Sequence, residues 1–435
     1  MLDKKKQYFS YHNNVLVLFL CFTALARFPA KDGEDIVNAR KNLSSAESID
    51  FWGGMSSLVY GYMPNIFFDW RTLLVGFQLI AVYTGLKMLD ALLDSKLKKW
   101  LFVPLCYLVF VFGAQTTRDG LLFSLVILAI GFMSKALQKS QHLYMYLGIL
   151  CLIVGSTLRP WMALGFSPFL AFYLLRSGRA KAKVGLAIFG LVISPIALDQ
   201  SIVKFLELKP SYPQQQVMIM DLASSYCSSN NASTSTRSLI ALSRFTSDES
   251  FGEKVCNLYR TDTWVSLTKS IYPSSSHIDN SDFWLISPND EESYSLVEAI
   301  WLQNIVSDPI TYMQNKLNFM SKLIVGSDTR GFRFFAEVEV LKKLQGLYFF
   351  IYDLVVTFHL MSLGALFLMI LLLMYFRKLS LNSRDFQITT EMIVCLLGAS
   401  IWLFLSSIAY IGSNGRYTYT ITLLSMAFLL KEEKS

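Results

Sequence analysis

Arginine at the end of an apolar run, next to a carboxylate, a proline or a tyrosine, is the pattern in this chain with the most chemistry in it. It occurs as Arg118-Asp119, Arg159-Pro160 and Arg416-Tyr417, and an acidic cluster, Asp32-Gly33-Glu34-Asp35, follows the first apolar run in the same way. Ionisable groups at membrane depth cost about 2.5–3.5 kcal/mol each on insertion scales, so they are kept mainly where they face a polar cavity. Arginine suits phosphate because its planar fork donates two parallel hydrogen bonds and stays charged in a low dielectric. A carboxylate among such arginines has a tunable pKa and can take a proton from an attacking hydroxyl. The expected site therefore has Asp32 or Asp35 as general base, with Arg118, Asp119, Arg159, Arg416 and Tyr417 binding an anionic, lipid-linked substrate. The ordinary alternatives are an Arg118–Asp119 pair, an Arg159 that snorkels to head groups, and a solvated acidic turn.

The elements that position these residues are membrane spans. Of 435 residues 53% are hydrophobic and 16% charged, which excludes an ordinary soluble domain. The net charge of +7 comes from lysines and arginines in short loops between apolar runs, so it is no nucleic-acid signature. A span needs about 17–25 apolar residues. The candidates are Asn14–Pro29, Thr72–Leu93, Trp100–Thr117, Leu121–Met133, Leu143–Thr157, Trp161–Leu175, Val184–Leu198, Leu347–Phe376, Ile388–Ile411 and Thr418–Leu430. The first is read as a retained span, since the basic Met1–Gln7 is followed by no small-residue cleavage pattern. The fold class is an all-α integral membrane protein of about ten transmembrane helices. Basic clusters such as Lys4-Lys5-Lys6, Lys96/Lys98/Lys99, Lys135/Lys139, Arg176/Arg179 and Arg377/Lys378 alternate with segments poorer in basic residues. The positive-inside rule then puts both termini in the cytoplasm and every arginine and acidic cluster outside.

The hairpins Lys99 to Lys135 and His142 to Arg176 must each cross twice, which leaves about 17 residues or roughly 25 Å per pass. That is shorter than the hydrocarbon core, so Arg118, Asp119 and Arg159 are expected at or just below the outer interface.

Three regions follow: a transmembrane module, 1–198, with a first outer loop at 29–71; an outer, mainly helical domain, 199–346; and C-terminal spans, 347–435. The first loop, with Phe51-Trp52-Gly53-Gly54 and Phe67-Phe68, reads as amphipathic helices along the membrane surface. In the outer domain the sequence predicts a Ser/Asn-rich loop around Ser224–Ser235 and a helical stretch from Glu291 to Ile324 interrupted at Asp308-Pro309. Trp301, Phe319, Phe332, Phe334 and Phe335 offer apolar material to bury against the membrane. Cys227 and Cys256 are the two cysteines outside apolar runs and read as a disulfide if the domain is in an oxidising compartment; a free pair is the alternative. There is no nucleotide-binding glycine loop, no metal-ligand pair at fixed spacing and no GxSxG nucleophile. No cofactor motif is present, and a divalent cation is the one candidate cofactor.

This arrangement resembles the integral-membrane glycosyltransferases of the GT-C class. The likeness runs through Asp32–Asp35 after the first span, Thr117-Arg118-Asp119-Gly120, Leu158-Arg159-Pro160 and Asp221-Leu222-Ala223. It continues through Trp301, Ile305, Asp308-Pro309 and Tyr312 to Gly415-Arg416-Tyr417. Two departures are visible: the acidic motif is not the usual acid pair, and the large domain lies between the seventh and eighth spans. The resemblance implies inverting transfer from an undecaprenyl-phosphate-sugar donor to a lipid-linked glycan acceptor such as O-antigen, at the outer face of the bacterial cytoplasmic (inner) membrane, with membrane lipids as further partners. Two other readings stand beside it. One is a polysaccharide polymerase or ligase, in which Arg237, His277 and Arg330 matter more than Asp32 or Asp35. The other is a lipid-linked oligosaccharide flippase, which charges crowded at one face and the lack of repeated halves disfavour.

Overall fold

In a computed structural model of the chain, the residues described are 13–24, 53–67, 69–91, 103, 106, 109–110, 113, 117–139, 141–209, 215–244, 251–259, 268–269, 285–286, 291–325 and 401. Asp32, Asp35, His277, Arg330, Phe332, Phe334, Phe335, Arg416, Tyr417 and, Ile401 apart, the predicted C-terminal spans lie outside them.

Lipid offers backbone amides no partner, so long apolar runs close their hydrogen bonds internally as helices. Helix α1 is Asn13–Ala24. Segment α2, 54–66, is α-helical at Gly54–Ser56 and Met63–Ile66, with a π-type stretch at Ser57–Tyr62 between them. Then come α3 (Trp70–Asp90), α4 (Arg118–Lys139), α5 (His142–Thr157), a 3₁₀ turn at Pro160–Met162, α6 (Ala163–Arg176) and α7 (Lys181–Phe205). Among the described residues, α3, α4 and α7 are long and apolar enough to cross a membrane, and α1, α5 and α6 are shorter apolar helices. Val103, Cys106, Val109, Phe110 and Gly113 are also helical, and the last four are fully or nearly buried.

Large apolar side chains face outward at helical spacing: Leu73, Phe77 and Ile80 on α3, Leu143, Tyr146 and Leu150 on α5, and Leu186, Phe189, Ile193 and Ile196 on α7. Exposed stripes of this kind are stable against lipid and costly against water. The protein is accordingly membrane-associated.

The interior of the bundle is close-packed. Helices α3 and α4 run parallel and touch through backbone: a Cβ on Gly85 would lie 2.6 Å from the Ile127 carbonyl oxygen, and one on Gly131 2.9 Å from the Gly85 Cα. Small residues at helix contacts let dispersion act between backbones where lipid removes the hydrophobic drive. Hydroxyls supply the polar joints. Ser124 Oγ donates within 2.9 Å of both the Gly113 and Gly120 carbonyls, and Ser134 and Tyr173 hydroxyls meet at 2.8 Å between α4 and α6.

The bundle has two chemically different ends. One gathers Lys135, His142, Arg176 and Arg179, with Lys135 over the Tyr144 ring at 4.4 Å and Arg179 against His142 at 2.6 Å. The other gathers the start of α4, the α5–α6 connection, segment α2 and the end of α7.

Helix α7 continues past residue 198 to Phe205 and leads to a polar domain. That domain comprises α8 (Gln215–Ser228), α9 (Ala232–Ser243), α10 (Phe251–Leu258), α11 (Glu291–Ser307) and α12 (Pro309–Val325). Thr268–Lys269 (β1) and Leu285–Ile286 (β2) form a two-residue parallel pairing. The expected Ser/Asn-rich loop at 224–235 is instead mostly helix, broken only between Ser228 and Ala232. Asn231 caps α9 by accepting from the amides of Ser233 and Thr234, and Ser228, Thr236 and Ser238 hydroxyls bond back to carbonyls four residues earlier. Serines that break helices in isolation are here tied to the helix itself. Between α11 and α12 the chain bends at Asp308-Pro309, where proline takes the first position of the new helix.

Cys227 on α8 and Cys256 on α10 form a disulfide that spans a sequence separation of 29. Closing a loop of that size stabilises by about 3–4 kcal/mol in the chain-entropy model. Reduction should therefore lower the unfolding temperature of the polar domain. Thiol labelling of the intact chain should leave both cysteines unmodified until reductant is added.

Candidate functional site

Two hairpin tips chosen from sequence meet at the second end of the bundle. Thr117 caps α4 with its hydroxyl, accepting from the Gly120 amide at 3.1 Å, which sets Arg118 and Asp119 in the first helical turn. A carboxylate there is favoured by the positive end of the helix dipole. Across the gap, Pro160 starts the 3₁₀ turn after α5 and holds Arg159 just before it. Arg159 donates to Asp119 through Nε at 3.1 Å and NH2 at 3.2 Å, with the side chains 11% and 15% exposed. The alternative that Arg159 snorkels to head groups does not hold: its guanidinium is directed into an inter-helix pair. Adjacent residues on a helix point about 100° apart, so the Asp119 carboxylate can reach the α5–α6 tip from the first turn of α4.

Helix α5 has 16 residues, a rise of about 24 Å, against a hydrocarbon core of about 30 Å. If its basic end lies at one interface, its Arg159 end lies short of the other. Arg118, Asp119 and Arg159 together carry a formal charge of +1, from two guanidinium groups and one carboxylate, in a partly dehydrated setting.

Segment α2 covers this end. Tyr60, itself 1% exposed, donates its hydroxyl to the Thr117 carbonyl at 2.7 Å, and Trp70 Nε1 donates to the Val59 carbonyl at 2.8 Å. Asp199, buried on α7, accepts the Met55 amide at 2.8 Å. Gly53 adopts φ +79°, and a Cβ on Gly54 would lie 2.3 Å from the Asp199 carbonyl oxygen, so only glycine fits that step. Tyr60 and Asp199 were not among the residues chosen from sequence. The visible signal was the Gly53-Gly54 pair near an aromatic run, with an aspartate at the end of a span.

In the polar domain a second charged cluster forms. Asp221 meets Lys316 at 2.7 Å and accepts from Trp301 Nε1 at 3.0 Å. Burial pushes the Asp221 carboxyl above the usual carboxylate range, with Lys316 and Trp301 pulling it down. Burial likewise raises the phenols of Tyr259 and Tyr312. Trp301 thus anchors the domain's own core instead of resting on the membrane. Arg237 is similarly internal: its Nε donates to Asn304 at 3.1 Å, NH1 to Ser233 at 2.7 Å and NH2 to Ser307 at 2.7 Å, joining α9 to α11. Among the described residues no group of three or more His, Cys, Asp or Glu side chains is arranged to hold a metal ion.

No protein-family model, curated protein or solved structure matches this chain.

Arg159→Met should remove both hydrogen bonds that the half-buried Asp119 accepts from the α5–α6 tip and lower the unfolding temperature of the bundle. The double change Arg159→Met with Asp119→Leu should lose much less, a difference read from thermal unfolding in detergent. For Asp221 the folded carboxyl holds its proton to higher pH than the unfolded one. Its contribution to stability therefore falls as pH rises from the ordinary aspartate value, near 3.8, through the raised folded value. Asp308 acts in the opposite sense, because Ser229 donating to it lowers its pKa and its contribution is lost on acidification. Unfolding followed from about pH 3 to 7 should show the first slope in the native chain and not in Asp221→Asn.

Proposed function

We propose that the protein is a membrane glycosyltransferase that moves a sugar from a polyprenyl-phosphate carrier to a lipid-linked or surface glycan of the O-antigen type. The reaction is assigned to the outer face of the bacterial cytoplasmic membrane, with both termini inside and about ten spans in a GT-C-like arrangement. The observation that carries the reading is the Arg159–Asp119 pair with Arg118 beside it, at the end of the bundle opposite the basic loops. In inverting transfer the acceptor hydroxyl attacks the anomeric carbon, the bond from that carbon to the carrier phosphate oxygen breaks, and charge collects on the departing phosphate. Fixed guanidinium donors aimed at that charge act most strongly where water is scarce. Asp119 holds the Arg159 fork in place, Arg118 and Arg416 complete the phosphate site, and Asp32 or Asp35 takes the hydroxyl proton.

The polymerase or ligase reading calls on Arg237, which in this fold has its guanidinium engaged between α9 and α11. Arg118→Ala should abolish glycan modification, seen by mass analysis of the surface glycan, with the chain still in the membrane and Cys227–Cys256 formed. Arg118→Lys should retain only part of the activity, because lysine keeps the charge and loses the fork. Full modification by Arg118→Ala would sink the assignment. Loss of the chain-length ladder in place of the branch sugar would point to a polymerase.

A further inference from the structure

Arg159, Lys316 and Arg237 each find a partner within the chain: Asp119, Asp221, and Asn304 with Ser307. The cations at the opposite end of the bundle do not. Lys135 near the end of α4, Arg179 just after α6, and Lys181 and Lys183 in the first turn of α7 meet there, and among the described residues no carboxylate pairs with any of the four. Their placement is fixed by the fold. The Lys135 ammonium lies 4.4 Å from the centre of the Tyr144 ring, and Arg179 donates to His142 Nδ1 at 2.6 Å, so both are drawn to the first turn of α5. Gly178 at φ +74° ends α6, and the Arg179 amide donates back to the Leu174 carbonyl at 3.1 Å. That closure holds Arg179 on the end of α6 and not on a loose loop. The carboxylate described at this end, Asp90, is buried at the close of α3.

We infer that this cluster seats an anionic phospholipid, with the phosphodiester on Arg179, Lys135 and Lys183 and the acyl chains along α5 and α7. The charge calls for an anion, and a guanidinium fork suits a phosphate through two parallel hydrogen bonds. The surroundings make that anion a lipid. On α5, His142, Tyr146 and Leu150 stand four apart on one face, with Tyr146 and Leu150 exposed. On α7, Lys183 and Leu186 stand three apart, and Phe189 and Ile193 carry the exposed apolar strip onward from Leu186. Helices α5 and α7 pack on each other and both start at the basic end, so an apolar strip leads away from the cations on each. Depth agrees as well. Helices α4 and α7, both long and apolar enough to cross a membrane, change from apolar to basic at this level. Basic pockets between helices at a membrane face hold anionic head groups in this way. The bound lipid then supplies the counter-charge that the described chain lacks, and ties the end of α4, the start of α5 and the α6–α7 turn together.

The test uses the full chain in detergent, mixed with phosphatidylglycerol and phosphatidylcholine of matched acyl chains. Native mass spectrometry should show phosphatidylglycerol retained several-fold over phosphatidylcholine. Arg179→Gln with Lys135→Gln should bring the two lipids to parity, with the unfolding temperature in lipid-free detergent unchanged. The control Lys204→Gln, at the far end of α7, should keep the native preference. Equal retention of both lipids by the native chain would overturn the proposal, and so would a double variant that keeps the preference or a control that loses it. Displacement of phosphatidylglycerol by millimolar inorganic phosphate would assign the cluster to a free anion and overturn the lipid. The unsubstituted chain locates the site independently. Phosphatidylglycerol carrying a diazirine on its acyl chain should label the peptides spanning 142–150 and 183–193, and excess unlabelled phosphatidylglycerol should suppress this where phosphatidylcholine does not. Absence of both peptides from the labelled set, or equal suppression by the two lipids, counts against the seat.

Discussion

A carboxylate and a guanidinium held largely away from water stay charged most readily when they find each other, and this requirement organises one end of the bundle. Asp119 and Arg159 sit on different hairpins, 40 residues apart in sequence, and their pairing fixes the height at which the two tips meet. The rest follows in steps. The cap at Thr117 sets the turn that carries Asp119, Pro160 sets the turn after Arg159, and Tyr60 reads the position of Thr117 through its carbonyl. Segment α2 can then close on that end only because Gly54 lets the backbone approach Asp199. Buried ion pairs add little net stability over an apolar replacement.

The polar domain obeys the same rule with different materials. Its helices are short and rich in serine, and each would be weak alone. They are held by hydroxyls bonded to their own carbonyls, by Arg237 bridging α9 and α11, and by the Asp221–Lys316–Trp301 cluster between α8, α11 and α12. The disulfide adds a covalent tie between α8 and α10. Within this domain Asp221 and Arg237 are matched to partners on other helices, so they serve its assembly.

Much of this was legible in the residues. The apolar runs gave α3, α5 and α6 to within a few residues, and Asp308-Pro309 gave the bend between α11 and α12, because proline and hydropathy act locally. The side chosen by Asp119 was not legible, since it depends on which neighbour the fold brings across the gap. The helices at 215–228 and 232–243 were missed for a related reason. Serine propensity argues for a loop, and only tertiary packing with the Asn231 cap reverses it. A charge normally ends a span, so Asp199 reads in sequence as the start of an outer segment. Its acceptance of the Met55 amide, from a residue 144 positions away, has no sequence signature.

The backbone contact between Gly85 on α3 and Gly131 on α4 bears on how this protein can move. Two helices that touch through their main chains have no side chains between them to swing aside, and any sliding would drive Cα atoms into carbonyl oxygens. The α3–α4 pair is therefore a rigid rail. Arg118 and Asp119 are fixed to one end of it. Segment α2 and the α5–α6 tip meet that rail through side-chain bonds, Tyr60 to the Thr117 carbonyl and Arg159 to Asp119, so displacement at this end falls on them and not on the α3–α4 contact.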